Sequence, residues 1–193
     1  MIENLLWVLA GYLLGAVPTG VLLGRLSGRD PRRAGSGNIG ATNVTRTMGK
    51  GWGAFTLLVD VAKGLLPTLY AARTGEPFLA PAVGLAATVG HCYPVWLRFK
   101  GGKGVATAFG AMAALAWPVA VFSALLWVVV AVVSRIPALG SLAAAVAFVG
   151  LSAWDHRPEA TQLLALLLAL LIVLRHRTNL QQLRRGRRQG SRP

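Results

Sequence analysis

Seven apolar stretches, parted by short loops rich in arginine and lysine, restrict this chain more than any other feature. They are Leu5–Leu23, Trp52–Ala72, Phe78–Val95, Val105–Trp117, Val119–Val133, Leu139–Trp154 and Ala160–Leu174. Crossing a hydrocarbon core of ~30 Å as a helix takes about 20 residues. The first three stretches approach that length. The last four are shorter and are punctuated by Pro118 and Pro137. Apolar residues make up 54% of the chain and charged residues only 13%, which excludes a soluble domain of ordinary composition. A length of 193 residues leaves room for one membrane domain, 1–180, and a basic tail, 181–193. The expected fold class is an all-α polytopic membrane protein.

Charge arbitrates the number of spans. Joining the fourth and fifth stretches into one broken helix would give six. With seven transmembrane helices, the N-terminus outside and the C-terminus cytoplasmic, 17 of the 20 Lys and Arg fall on the inner side, and four of the six acids fall outside. That is the positive-inside pattern. Six spans would put the tail and the 25–50 loop on opposite faces and destroy it. The first stretch has Glu3 before it and Arg25, Arg29, Arg32 and Arg33 after it, so it reads as a retained helix rather than a cleaved leader. Trp52, Trp96, Trp117 and Trp154 stand near the expected helix ends, as interfacial anchors do. A net charge of +14 would suggest nucleic acid in a soluble protein. Here it points to inner loops, anionic membrane lipid and an anionic substrate, and no nucleic-acid partner is expected. The single cysteine, Cys92, excludes an internal disulfide and reads as a small buried apolar residue.

Three polar clusters carry the chemistry, all on the inner side. Arg98 to Thr107 holds Lys100, Lys103 and the glycines Gly101, Gly102 and Gly104 just before an apolar run. Glycines let backbone approach a ligand, lysine supplies a mobile point charge, and a helix starting near Lys103 would aim its positive end at the same place. Taken alone, the stretch is either a phosphate cradle or a basic loop that only fixes topology. Ser36 to Arg46 lies in a 24–51 loop too long for a simple connection. Its hydroxyls, amides and glycines (Ser36, Asn38, Gly40, Asn43) allow an anion-binding turn, and Asn43 and Arg46 are spaced to share a helical face. Arg175 to Leu180 follows the last stretch. Arg175 and Arg177 there suit the negative end of a helix dipole, and His176 and Asn179 share a face.

Other polar residues read more modestly. Ser134, Arg135 and Ser141 bring hydroxyls and a cation to an inner turn. Asp60 and Lys63 neutralise each other within the second stretch and read as mainly structural. His91 stands behind the glycine cluster, one step removed from a substrate. So many inner cations suit two phosphate-bearing substrates better than one. Two dianions about 8 Å apart at an effective dielectric of ~20 repel by roughly 8 kcal/mol before screening. Asp30 is the sole acid of the inner loops, so no metal site is expected. Polarity gathered at one face, with only Asp60 and Lys63 deeper, speaks against a transporter.

Ser36–Val44, Gly101–Thr107 and Arg175–Leu180 together resemble the three cytoplasmic motifs of the PlsY family, bacterial membrane acyl-phosphate:glycerol-3-phosphate acyltransferases. The resemblance runs from Leu5 to about Leu183. It implies a seven-helix inner-membrane protein with its active site on the cytoplasmic side. It also implies a reaction in which the 1-hydroxyl of glycerol 3-phosphate attacks a fatty acyl phosphate, giving lysophosphatidate and phosphate, without a cofactor. Carried over by motif, Ser36, Asn38, Gly40, Asn43 and Arg46 bind phosphate and shape the site. Lys103, with Gly101, Gly102, Gly104 and Thr107, holds a substrate phosphate. Ser141, His176 and Asn179 position glycerol 3-phosphate. The base is either His176 or a phosphate oxygen of the substrate. The His-x-x-x-x-Asp signature of thioester-dependent acyltransferases is absent, since Trp96, Thr161 and Gln181 stand five residues after the three histidines. The implied partners are the two substrates, membrane lipid and, as a further candidate, the enzyme that makes acyl phosphate.

Overall fold

The computed structural model describes residues 1–181, and among them all regular structure is helical. The α-helices are α1 Ile2–Ala16, α2 Thr19–Leu26, α3 Ala41–Met48, α4 Lys50–Ala72, α5 Leu79–Cys92, α6 Val105–Leu115, α7 Trp117–Ser134, α8 Pro137–Trp154 and α9 Glu159–Arg175. Residues 177–181 add a further helical turn after His176. Each apolar stretch is therefore helical. The Ile2–Leu26 unit, α4, α7 and α8 are long and apolar enough to cross a membrane, whereas α5, α6 and α9 have 14, 11 and 17 residues. The basic tail expected at 181–193 lies, beyond Gln181, outside the described residues.

The first stretch was expected as one uninterrupted helix, and it is broken. A proline disfavours helical geometry at the residue before it. Val17 accordingly adopts ψ 115, and the helix restarts at Thr19. The break leaves the Val17 carbonyl outside the helical ladder, where Lys63 Nζ donates to it at 2.5 Å.

Small residues fill the interior and large ones face outward. Ala71, Ala87, Ala108, Ala111, Ala145 and Ala165 are fully buried, whereas Val132, Val133 and Val146 are at least 70% exposed. In lipid no hydrophobic drive separates inside from outside, so close backbone approach decides helix contacts. A Cβ on Gly15 would run into the Ala87 carbonyl and one on Gly90 into that of Tyr12, which brings α1 against α5. Gly64 against Thr107 and Gly110 against Val61 do the same for α4 and α6. Larger side chains pack where α6, α8 and α9 meet, around Met112, Phe148, Leu164, Leu168 and Ile172. There Phe109 and Phe148 stand edge to face at 5.0 Å, a pairing that contributes about 0.5–1.5 kcal/mol beyond area burial.

Between α2 and α4 the chain forms a 3-10 turn, Pro31–Arg33, and then α3. Asp30 caps the turn by accepting from the Arg32 N–H at 2.9 Å. The Arg32 guanidinium beside it holds the Asp30 carboxyl down at about 2. Asp30 is thus occupied by its neighbour.

Candidate active site

The glycine loop is built on the end of α5. After Cys92 the chain makes a 3-10 turn, Val95–Leu97, and passes through Arg98 and Phe99 at φ 51 and 61. It then doubles back, so that the Gly101 N–H donates to the Cys92 carbonyl at 3.2 Å and the Gly102 N–H to that of His91 at 3.0 Å. The last carbonyls of a helix lack intrahelical partners, and the loop supplies them. Gly102 must be glycine for a steric reason: a Cβ there would run into His91 Nε2. Gly104 sits at φ 79 and accepts the first bond of α6, from Ala108 at 2.8 Å. Gly101 and Gly102 were expected to offer backbone donors to a phosphate, but both N–H groups are committed to α5. Among the described residues no acceptor is paired with the N–H groups of Lys103, Gly104, Val105, Ala106 and Thr107. These five leave unpaired donors at the positive end of α6, a position that favours an anion.

The end of α9 closes over this loop. Lys103 Nζ donates to Asn179 Oδ1 at 2.6 Å. Arg175 donates through Nε to the Gly102 carbonyl and through a terminal nitrogen to the Gly101 carbonyl, both at 3.0 Å. Its guanidinium also lies 4.8 Å from the centroid of the Tyr93 ring. Burial pushes the Lys103 pKa down, and the Arg175 charge adds to the effect. A bound anion would relieve both. His176 is 1% exposed and its Nδ1 lies 2.8 Å from the Ile172 carbonyl. A carbonyl only accepts, so Nδ1 carries the hydrogen and neutral His176 keeps its lone pair on Nε2. Burial lowers the His176 pKa, the Ile172 bond opposes this, and Lys103 and Arg175 lower it further.

Asn43 is the keystone of the first loop. It is 2% exposed, accepts from the Ser36 N–H at 2.8 Å, and donates to the carbonyls of Pro31, Ala34 and Asn38. Asn38 Oδ1 accepts from the Gly40 N–H at 2.8 Å, at the start of α3. Asn38 and Asn43 therefore shape the loop, while Ser36 and Arg46 are exposed and free to meet a ligand. This loop reaches the others through Ile39, which lines a cleft together with Gly20, Asp60, Lys63, His91 and Pro94.

The Arg98–Thr107 and Arg175–Leu180 clusters thus touch directly, and Ile39 of the Ser36–Arg46 cluster lies across the cleft from His91. Ser141 lies near the start of α8, accepting from Trp127 Nε1 and donating to the Pro137 carbonyl, each at 3.1 Å. The Thr107 side chain is fully buried, and its hydroxyl has no hydrogen-bond partner among the described residues. Among the described residues no three His, Cys, Asp or Glu side chains gather with metal-ligand spacing. Sequence reasoning missed the grip of Arg175 on the glycine loop, because the helix dipole already accounted for an arginine there. The aromatic partner at Tyr93 was the available signal.

The family model described as glycerol-3-phosphate acyltransferase matches residues 5–186. A glycerol-3-phosphate acyltransferase of Myxococcus xanthus is 51% identical over 181 residues, covering 92% of this chain and 94% of that protein. One of Rubrobacter xylanophilus is 47% identical, covering 96% and 94%. The fold is similar to the crystal structure of PlsY (YgiH), an integral membrane glycerol 3-phosphate acyltransferase, in its glycerol 3-phosphate form. That match has a TM-score of 0.92 at 38% identity, over 96% of this chain and 94% of that one. The lysophosphatidic acid form of the same protein gives 0.91 at 38% identity, over 96% and 93%.

Proposed function

The chain belongs to the glycerol-3-phosphate acyltransferase family and is an integral membrane acyltransferase, and on that premise we propose that its acyl donor is a fatty acyl phosphate. The acceptor is the 1-hydroxyl of glycerol 3-phosphate. The products are lysophosphatidate and inorganic phosphate. The hydroxyl oxygen bonds to the acyl carbonyl carbon, the carbon–oxygen bond to phosphate breaks, and the electron pair leaves with the phosphate. The hydroxyl proton goes either to His176 Nε2 or to a phosphate oxygen of a substrate. An acyl phosphate is a mixed anhydride and needs no covalent enzyme intermediate. Lys103 and the N–H groups from Lys103 to Thr107 offset the charge that builds on the leaving phosphate. Ser36 and Arg46 meet the second phosphate, and Ser141, His176 and Asn179 orient the glycerol.

Seven spans, with the N-terminus outside and the site at the cytoplasmic face of the inner membrane, complete the reading. They keep the basic loops on one side.

The observation that carries the proposal is the 2.6 Å contact of Lys103 with Asn179. It brings a half-buried cation from one loop and an amide from the turn after α9 to the open N-terminus of α6. The test incubates the purified full-length protein with glycerol 3-phosphate and, in parallel, palmitoyl phosphate, palmitoyl-CoA or an acylated carrier protein. Lysophosphatidate is expected from palmitoyl phosphate alone, without added metal. Product formed only from a thioester overturns the donor assignment.

A further inference from the structure

Beneath the glycine loop lies a buried polar cluster that the reaction above does not use. Asp60 and Lys63 stand near the middle of α4 at 2% and 7% exposure, with Nζ 2.7 Å from Oδ1. Thr19 donates to the same oxygen at 3.3 Å. Lys63 also reaches the Val17 carbonyl that the α1–α2 break sets free. His91, 6% exposed, places Nδ1 3.7 Å from that same Asp60 oxygen. The other edge of its ring, Nε2, is the surface on which Gly102 rests, and its carbonyl accepts the Gly102 N–H. Ionisable groups inside a membrane segment are costly and seldom persist without a task. The glycine contacts already bring α1 to α5 and α4 to α6, so those two contacts do not need the cluster.

We propose that Asp60, Lys63 and His91 form a strut that sets the height and tilt of the glycine loop, so that Lys103 meets the substrate phosphate. They are positioning residues and touch no reacting atom. The strut runs from the break after α1, through α4 and α5, to Gly102. It deepens the acyltransferase reading and rests on it. An apolar residue at position 91 could fill the same volume. It would present no ring nitrogen to Gly102 and no polar edge toward Asp60, so the loop above would lose its register.

The test compares wild type with His91→Gln, His91→Asn, His91→Ala and Gly102→Ala, all full length in detergent. Steady-state rates, Kd for inorganic phosphate by calorimetry, and melting temperatures are measured. Glutamine puts its amide near the place of Nε2 and keeps the floor under Gly102. Asparagine reaches only the place of Nδ1 and loses the floor. His91→Gln is expected within threefold of wild type. His91→Asn and His91→Ala are expected to raise KM for at least one phosphate substrate tenfold or more, with kcat changed less than threefold. Gly102→Ala is expected to do the same, and adding His91→Ala to it should cost no more, because removing the ring makes room for the methyl. Unchanged KM in His91→Asn, His91→Gln as impaired as His91→Ala, or a loss of melting temperature with normal KM in the folded protein would each overturn the strut. Wild type that consumes no palmitoyl phosphate would instead defeat the donor assignment. The strut is then judged on the Kd ratios alone, where a ratio near one contradicts it.

Discussion

At the scale of single residues the proposed chemistry centres on Lys103, which precedes α6 and donates to Asn179 Oδ1. Lys103→Ala is expected to lower turnover by about 10²–10³-fold, the cost of losing one preorganised charge-stabilising donor. Near wild-type rates would remove it from the site. His176 and the substrate phosphate are the two groups proposed to set the pH behaviour. The His176 pKa is held below the ordinary ~6.5 by burial, so the imidazole is neutral at pH 7 and stays able to accept a proton as pH falls through that range. The acid limb of the wild-type rate is therefore expected below pH 6.5. If the second phosphate pKa of the substrate, about 6, sets that limb, His176→Asn keeps it at a lower overall rate. If His176 is the base, the limb disappears along with turnover. A wild-type limb at or above pH 6.5 contradicts the buried neutral imidazole. Lys103, His176 and Asn179 were legible in the sequence because polar residue types stand out against apolar spans. The direction in which Gly101 and Gly102 turn their N–H groups was not, because it depends on where α5 ends in space.

At the scale of elements, glycines decide how closely helices approach, and an arginine decides how the glycine loop is held. Gly110→Leu forces a side chain into the Val61 carbonyl. Overpacking of this kind costs about 1–3 kcal/mol, so a clear drop in melting temperature in detergent is expected, and an unchanged value would contradict the α4–α6 packing. Arg175 grips two carbonyls and one ring at once, a planar task that lysine cannot repeat. Arg175→Lys is therefore expected to lose about tenfold or more in kcat/KM while the melting temperature stays near wild type. Wild-type kinetics in Arg175→Lys would show that the grip is idle. The helical segments were legible because apolar runs bounded by Pro and basic loops have few other fates. The break at Val17 was readable from Pro18 but was passed over, since the run looked continuous by hydropathy. The service of its freed carbonyl to Lys63 lay beyond any local signal.

The whole molecule is read best as a set of hairpins that hand their polar ends to one face of a membrane. Single cysteines placed at Thr74 and His156, in a background with Cys92 replaced, are expected to react with a membrane-impermeant maleimide on intact cells. Cysteines at Thr47 and Arg135 are expected to react only after lysis. Labelling of Thr47 on intact cells would refute seven spans with an outer N-terminus. Convergence on one site is the larger claim, and a double-mutant cycle between Lys103 and Asn179 tests it most directly, because the two residues are 76 apart in sequence and 2.6 Å apart in space. Groups that act as one unit show losses that do not add. Turnover is measured for Lys103→Ala, Asn179→Ala and the pair. The double variant is expected to lose no more than about threefold beyond Lys103→Ala, and losses that multiply in full would contradict a shared site.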